Sequence, residues 1–138
     1  MPPREPFNAP GAPPPVWPFS AALRAGGFVF VSGQVSEDLA SGTPVQGDVA
    51  IQTRQALENV RLLLEAAGSG LDRLVKTTVF LADIRDFDAM NAVYREVVPP
   101  PFPTRSTVEA KLSDPWLRVE IEAIALAGDG TASAREEG

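Results

Sequence analysis

Two segments of the sequence repeat apolar residues at the spacing of an amphipathic helix, and this pair limits the folds open to the chain. The first repeat consists of Ala56, Leu57, Val60, Leu63, Leu64 and Ala67. The second consists of Phe87, Met90, Tyr94, Val97 and Val98. Asp48 is placed to cap the first helix and Gly68 follows its end, while prolines at 99–101 stop the second. We therefore predict two helices, each with one apolar face.

Five other segments have the composition of β-strands. The stretch "SAALRAGGFVFVSGQV" predicts a strand, an Ala-Gly-Gly turn and a second strand at 28–32. Residues 74–81, 104–110 and 118–127 predict the other three. The resulting order, β-β-α-β-α-β-β, favours an α+β domain in which the two helices cover only one face of the sheet.

The two ends of the chain differ in composition from its centre. Eight of the 14 prolines fall within the first 18 residues. Because proline fixes φ and has no N–H to donate, residues 1–17 are predicted to form an extended arm rather than a helix or an inner strand. Residues 128–138 are small and polar and are predicted to form a loose tail. Residues 18–127 then form a single domain, long enough to bury its own core.

The last predicted strand has two unusual faces. One side carries Val119, Ile121, Ala123 and Ala125, and the other carries Glu120, Glu122, Ile124 and Leu126. Because both sides become apolar toward the end of the strand, the uncovered face is predicted to be partly buried by oligomerisation. A charge near such an interface must be paired or must face a pocket that a ligand completes. We interpret Glu122 as the partner of a neighbouring charge.

The stretch "PTRSTVEA" places Arg105 near the start of a strand, on the same side as Thr107 and Glu109. We expect the last two strands to be joined through the "KLSDPWL" loop. If that loop pairs residue 110 with residue 118, Arg105 lies opposite Ala123 and on the other face from Glu120. A shift of one residue would place the arginine and the glutamate on the same face. Spacing alone leaves both registers open.

Composition excludes several classes of site. The chain has no cysteine and no histidine, which removes Ser-His-Asp and Cys-His nucleophile systems and imidazole-based metal centres. The net charge is −6 and the basic residues are scattered, so nucleic-acid binding is not expected. No apolar run reaches the length of a membrane span, and the N-terminus lacks the apolar core of a secretory signal. A cytoplasmic protein is therefore predicted.

Several motifs, in order along the chain, carry a family resemblance: "FVFVSGQV", "VKTTVFLADIRDF", "FPTRSTVEA" and "VEIEAIAL". With the segments between them they resemble the Rid family of reactive enamine/imine deaminases, also called the YjgF family, over residues 8–127. The resemblance implies a chorismate-mutase-like α+β fold with a mixed sheet, assembled as a homotrimer with clefts between subunits. It also implies hydrolysis of 2-aminoacrylate and related 2-imino acids to 2-oxo acids and ammonia, with no metal or organic cofactor.

The same resemblance implies roles for individual residues. Arg105 would bind the substrate carboxylate, and Glu120 would position the attacking water. The "SGQ" turn places Ser32 and Gly33 at the cleft, and the helix-borne asparagine is Asn91. These residue types suit the reaction, because arginine offers a bidentate fork for a carboxylate and a carboxylate with an adjustable pKa can move the protons.

Three further candidates for substrate contact lie where the chain departs from the family pattern. Phe19 stands where the family often has tyrosine, so a hydroxyl is missing. Thr107 stands where cysteine is frequent, which removes a thiol and keeps a small donor. Trp116, in a loop that also differs, is a candidate to enter or cover the cleft.

Other functions remain open from the sequence. A non-catalytic trimer that binds a small carboxylate and acts as a regulator is one, and a pathway-specific deaminase of a larger enamine is another. An endoribonuclease is disfavoured by the acidic charge and by the absence of histidine.

Overall fold

The computed structural model describes residues 3–128, and within them six strands and two α-helices build an α+β domain. The strands are β1 (Glu5–Phe7), β2 (Ala22–Ala25), β3 (Phe28–Gln34), β4 (Leu74–Leu81), β5 (Thr104–Glu109) and β6 (Val119–Leu126). The helices are α1 (Val49–Ala66) and α2 (Phe87–Val97). The strands form one mixed sheet in the order β1-β2-β3-β6-β4-β5. Only β4 and β5 are parallel neighbours.

Helix α1 begins and ends at the predicted signals. The Asp48 carboxylate accepts a hydrogen bond of 3.0 Å from the Ile51 N–H, which satisfies one of the free donors of the first turn. At the other end Gly68 adopts φ +83°, a conformation that glycine reaches at little cost. Between these ends the apolar side of the helix, including Leu57 and Leu64, is fully buried against the sheet.

The pairing of β5 differs from the expectation for the last two strands. Strand β4 lies between β5 and β6, so the loop after β5 crosses to the far side of β4 instead of closing a hairpin. Arg105 is opposite Thr77, and Thr77 is opposite Ala123. Arg105 and Glu120 therefore lie on opposite faces of the sheet, the relation given by the first of the two registers considered, although it arises through β4.

The two faces of the sheet are covered unequally. Thr77, Val79 and Leu81 of β4 point toward the helices and are buried. On the other face, Phe28, Phe30 and Leu126 are 39%, 42% and 46% exposed, and no element of residues 3–128 covers them. This open face confirms that the two helices protect one side only, and its phenylalanines give it an apolar character that isolated surface residues would not.

Strand β1 was not among the predicted strands. It lies inside the segment expected to be an extended arm and joins the sheet at its edge, with Glu5 opposite Arg24 and Phe7 opposite Ala22. Proline is tolerated there because an edge strand needs to donate on one side only. The predicted tail lies outside the described residues from 129 onward. No helix within residues 3–128 is long and apolar enough to cross a membrane.

Candidate functional site

Arg105 lies on the helix-covered face, at the edge of the sheet beside α2. Its guanidinium carbon is 4.8 Å from the ring centre of Tyr94 and 5.6 Å from that of Phe87. Both distances are within the range of a cation–π interaction, which fixes the plane of the guanidinium and leaves its N–H groups free. Among the described residues no carboxylate or carbonyl bonds to it. The group is thus a positioned cation without an anionic partner.

The ring under Arg105 is itself anchored. The Tyr94 hydroxyl and the Thr77 hydroxyl share a hydrogen bond of 2.7 Å in the buried layer between α2 and β4. Burial raises the pKa of Tyr94, so the phenol is neutral at ordinary pH. The Tyr94 ring therefore supports the Arg105 guanidinium by stacking and adds no charge to the site.

A cavity of about 330 Å³ opens at this arginine. Its lining consists of Asn91, Tyr94, Arg95, Phe102, Pro103 and Arg105. The structure thus places Asn91 and Arg105, two residues that the family resemblance had indicated, at one cavity. Thr107 follows on the same side of β5, and its buried hydroxyl has no hydrogen-bond partner among the described residues. Because that hydroxyl is buried and Thr107 does not line the cavity, its contact with a substrate stays a prediction.

Glu120 lies on the open face, opposite Phe80 of β4. Its carboxylate rests directly on the backbone of Gly33: a Cβ at that glycine would be 2.0 Å from the Glu120 Oε2 atom. Burial, and to a smaller extent the charge of Glu122, raises the pKa of the Glu120 carboxyl. A carboxyl with a raised pKa can accept and return a proton closer to neutral pH than an exposed one.

Ser32 and Phe19 lie at a second cavity on the open face, of about 540 Å³. The Ser32 hydroxyl donates to the Ser20 carbonyl at 2.7 Å, which ties β3 to the segment that carries Phe19. Phe19 is 54% exposed, and its ring forms part of the cavity wall. Gly33 follows Ser32 in β3 and contacts the Glu120 carboxylate, so the glutamate lies next to a residue of the cavity wall.

The role of Glu122 as the partner of a neighbouring charge stays a prediction. Within residues 3–128 it makes no ion pair, although it lines the same cavity as Lys76. The Lys76 ammonium instead donates to the Thr78 hydroxyl at 2.9 Å. Both charges remain on the open face.

Trp116 lines neither of these two cavities. It is half-buried in the loop before β6, where its carbonyl accepts a hydrogen bond of 3.2 Å from the Gln52 side chain. Its role at the cleft stays a prediction.

The predicted site residues therefore form two groups on opposite faces of one sheet. Arg105, Asn91 and Thr107 form the first, which we call the arginine half-site. Glu120, Gly33, Ser32 and Phe19 form the second, the glutamate half-site. One offers an anion-binding cation and the other a carboxyl that can move protons. A single copy of the chain cannot apply both to one small ligand.

Four residues of the arginine half-site were missed as site residues by the sequence reasoning: Phe87, Tyr94, Arg95 and Phe102. Phe87 and Tyr94 had been assigned only to the apolar stripe of α2. Their spacing from Asn91, at i−4 and i+3, was the available signal, because such positions share a helix face.

Residues 3–128 contain no group of three or more acidic side chains arranged to hold a metal ion. What the two half-sites offer chemically is anion binding through a guanidinium and proton transfer through a carboxyl.

Comparisons with known proteins identify the family. The family model described as Endoribonuclease L-PSP matches residues 10–127. A RutC family protein of Pyrococcus horikoshii is 46% identical over 114 residues, 83% of this chain and 90% of that protein. The human 2-iminobutanoate/2-iminopropanoate deaminase is 39% identical over 127 residues, 92% of this chain and 90% of that protein.

A solved structure supports the same family assignment. The structure of Escherichia coli TdcF with bound serine has a TM-score of 0.80 and 33% sequence identity, and the match covers 90% of this chain and 99% of that one. The resemblance noted in the sequence is confirmed, and the chain belongs to the Rid (YjgF) family, the family whose model is described as Endoribonuclease L-PSP.

Proposed function

We propose that this protein hydrolyses reactive 2-imino acids, including those in equilibrium with 2-aminoacrylate, to 2-oxo acids and ammonia. The observation that carries the proposal is the Arg105 guanidinium, stacked on two aromatic rings and free of any partner among the described residues. Two comparisons support it: the human relative is named as a deaminase of 2-imino acids, and TdcF was solved with serine bound.

The chemistry needs an anchor and a proton carrier. Arg105 would hold the substrate carboxylate through two parallel N–H···O bonds, which fixes the neighbouring imine carbon in place. Glu120 would accept a proton from water as its oxygen bonds to that carbon. The same carboxyl would return that proton to nitrogen, which gives a carbinolamine. It would then carry the proton of the new hydroxyl to the same nitrogen, so that the carbonyl forms as the carbon–nitrogen bond breaks and ammonia leaves. Burial raises the pKa of Glu120 toward the range that this exchange requires.

The complete site would form between two copies of the chain. Arg105 and Glu120 are on opposite faces of the sheet, so one copy would supply the arginine half-site and the next copy the glutamate half-site. We propose the homotrimer expected from the sequence as the assembly that does this, because a heterologous contact closes into a ring and uses both surfaces of every copy. The exposed phenylalanines of the open face would be buried in the same step.

An endoribonuclease is less well supported, despite the family description. The chain carries a net charge of −6 and no histidine, whereas nucleic-acid binding usually requires a basic surface. A cytoplasmic location stays a prediction.

The test is a competition between enzymatic hydrolysis and chemical trapping. An amino-acid oxidase generates short-lived imino acids, semicarbazide traps them, and the purified protein competes with the trap. We expect wild type to suppress trapping, and Arg105→Ala and Glu120→Ala each to abolish the effect. Wild type indistinguishable from buffer with every imino acid would rule out the proposal.

Mixing the two inactive variants tests the shared site. The two variants are unfolded and refolded together in equal amounts, so that copies of both kinds assemble. A site is then complete only where the copy that supplies the arginine half-site has kept Arg105 and the copy that supplies the glutamate half-site has kept Glu120. Random assembly of a ring then predicts about a quarter of the wild-type activity. A mixture as inactive as its components would show that the two half-sites do not combine across copies.

A further inference from the structure

The cavity at Arg105 contains a second arginine that the proposed reaction does not use. Arg95 lies on α2 one turn after Asn91, and it lines the same cavity. Its guanidinium carbon is 5.9 Å from the ring centre of Phe102, so it too rests on an aromatic ring. Two stacked guanidinium groups therefore face one small space.

Neither positive charge is balanced from within the described chain. The adjacent acidic residue, Glu96, forms an ion pair with Arg54 of α1 instead. No other carboxylate of residues 3–128 pairs with Arg95 or Arg105. In a chain whose net charge is −6, a cavity with two unbalanced cations is a local exception. Two cations at one cavity attract an anion, and a ligand whose acidic groups contact both would balance the two charges.

A single carboxylate accounts for only one of the two arginines. A carboxylate has two oxygens, and one planar guanidinium can engage both through a bidentate pair. The second guanidinium is then left for another acidic group on the same ligand. At about 330 Å³ the cavity is near the lower end of the range for small-molecule sites, which suits a ligand of a few carbons.

We propose that Arg95 forms a subsite for a second carboxylate, and that the preferred substrates are 2-imino dicarboxylic acids with a short chain between the two acid groups. Arg105 binds the carboxylate next to the imine, and Arg95 binds the one at the end of the side chain. The inference rests on the proposed function for the reaction, but the binding preference itself needs no turnover.

The first experiment measures binding without catalysis. Calorimetric titrations compare 2-oxoglutarate with 2-oxopentanoate, two stable 2-oxo acids of equal carbon number that differ in the terminal carboxylate. The proteins are wild type, Arg95→Gln and the matched control Arg73→Gln. Arg73 is also exposed and free of ion pairs within the described chain, and it does not line the cavity, so its replacement changes the net charge equally without removing a lining residue.

We expect wild type to prefer the dicarboxylate. Because Arg95 is exposed, its replacement should lower the preference about threefold to fivefold, the size of a good solvent-accessible ion pair. Arg73→Gln should leave the ratio unchanged. Equal affinity of wild type for both acids, no binding of either, or an equal loss for both in Arg95→Gln would each overturn the inference.

The second experiment separates this inference from the proposed function. Hydrolysis of the imino acids derived from glutamate and from norvaline is compared in wild type and Arg95→Gln. A dicarboxylate preference in kcat/KM that Arg95→Gln lowers supports both proposals. Preferential binding of 2-oxoglutarate without hydrolysis refutes the deaminase and keeps the subsite, whereas hydrolysis without any preference refutes the subsite alone.

Discussion

Gly33→Ala is the sharpest test of the glutamate half-site, because the three atoms nearest to the added methyl group all belong to the Glu120 side chain. An ideal Cβ at Gly33 would lie 2.0 Å from Oε2, 2.8 Å from Cδ and 3.0 Å from Cγ of that side chain. Carbon and oxygen in ordinary contact are roughly 3.5 Å apart, so the carboxylate must move by roughly 1.5 Å. A displacement of about 1 Å in a reacting group can cost about 10²-fold, and we expect a loss of at least that size in kcat.

The same substitution should leave the fold intact. Gly33 is not among the glycines with positive φ, so alanine can adopt its backbone conformation. Alanine restricts the unfolded chain, a gain of about 0.4–1 kcal/mol, and a strained Glu120 rotamer costs about 0.5–1.5 kcal/mol. The free energy of unfolding should therefore change by less than about 1 kcal/mol, which urea denaturation can measure.

The matched control is the same change in a Glu120→Ala background. There the methyl group has no carboxylate to displace and no rotamer to strain, so Gly33→Ala should raise the free energy of unfolding by about 0.4–1 kcal/mol, measured in urea. Full activity of Gly33→Ala in the presence of Glu120 would refute the reasoning. Unfolding of the single variant would refute it as well, since the clash would then have fallen on the backbone.

Three other changes have defined outcomes. Glu122→Gln removes a charge that raises the pKa of Glu120, so if the ionised carboxylate is the active form, the acid limb of the kcat profile should move to lower pH; an unmoved limb would contradict the coupling. Tyr94→Leu removes the ring under Arg105 and should raise KM about twofold to fivefold, whereas Tyr94→Phe should keep the wild-type KM. Asp48→Ala removes the cap of α1 and should lower the free energy of unfolding, measured in urea, by about 1 kcal/mol without changing kcat.

The sequence was most informative where structure is determined locally. Asp48 and Gly68 bracket α1, and β4 was predicted at 74–81, the residues that it occupies. Capping and alternation involve neighbours within a few residues, so they can be read from a short stretch of chain. Strand β1 was not predicted because it has only three residues, one of them Pro6, and so short a segment shows no alternation of polar and apolar side chains.

Strand order and the two faces of the site could not be derived in this way. The pairing of β5 with β4 depends on the arrangement of the whole sheet. The alternation of side chains along β5 would be the same whether its neighbour were β4 or β6, so the sequence could not distinguish the two. The resemblance supplied Arg105 and Glu120 as residue types, but their placement on opposite faces of the sheet follows only from the registers in which β5 and β6 pair with β4. Tyr94 was taken for core for a related reason, because a side chain can belong to both the core and the site.

The placement of Arg105 and Glu120 on opposite faces has a consequence for the behaviour of the protein in dilute solution. If both groups act on one ligand, specific activity depends on protein concentration and falls once dilution separates the copies. The open face then has two tasks, binding another copy of the chain and positioning Glu120. A substitution on that face would change the affinity between copies and the position of Glu120 together. Substrate range and self-association could then not vary independently in this chain.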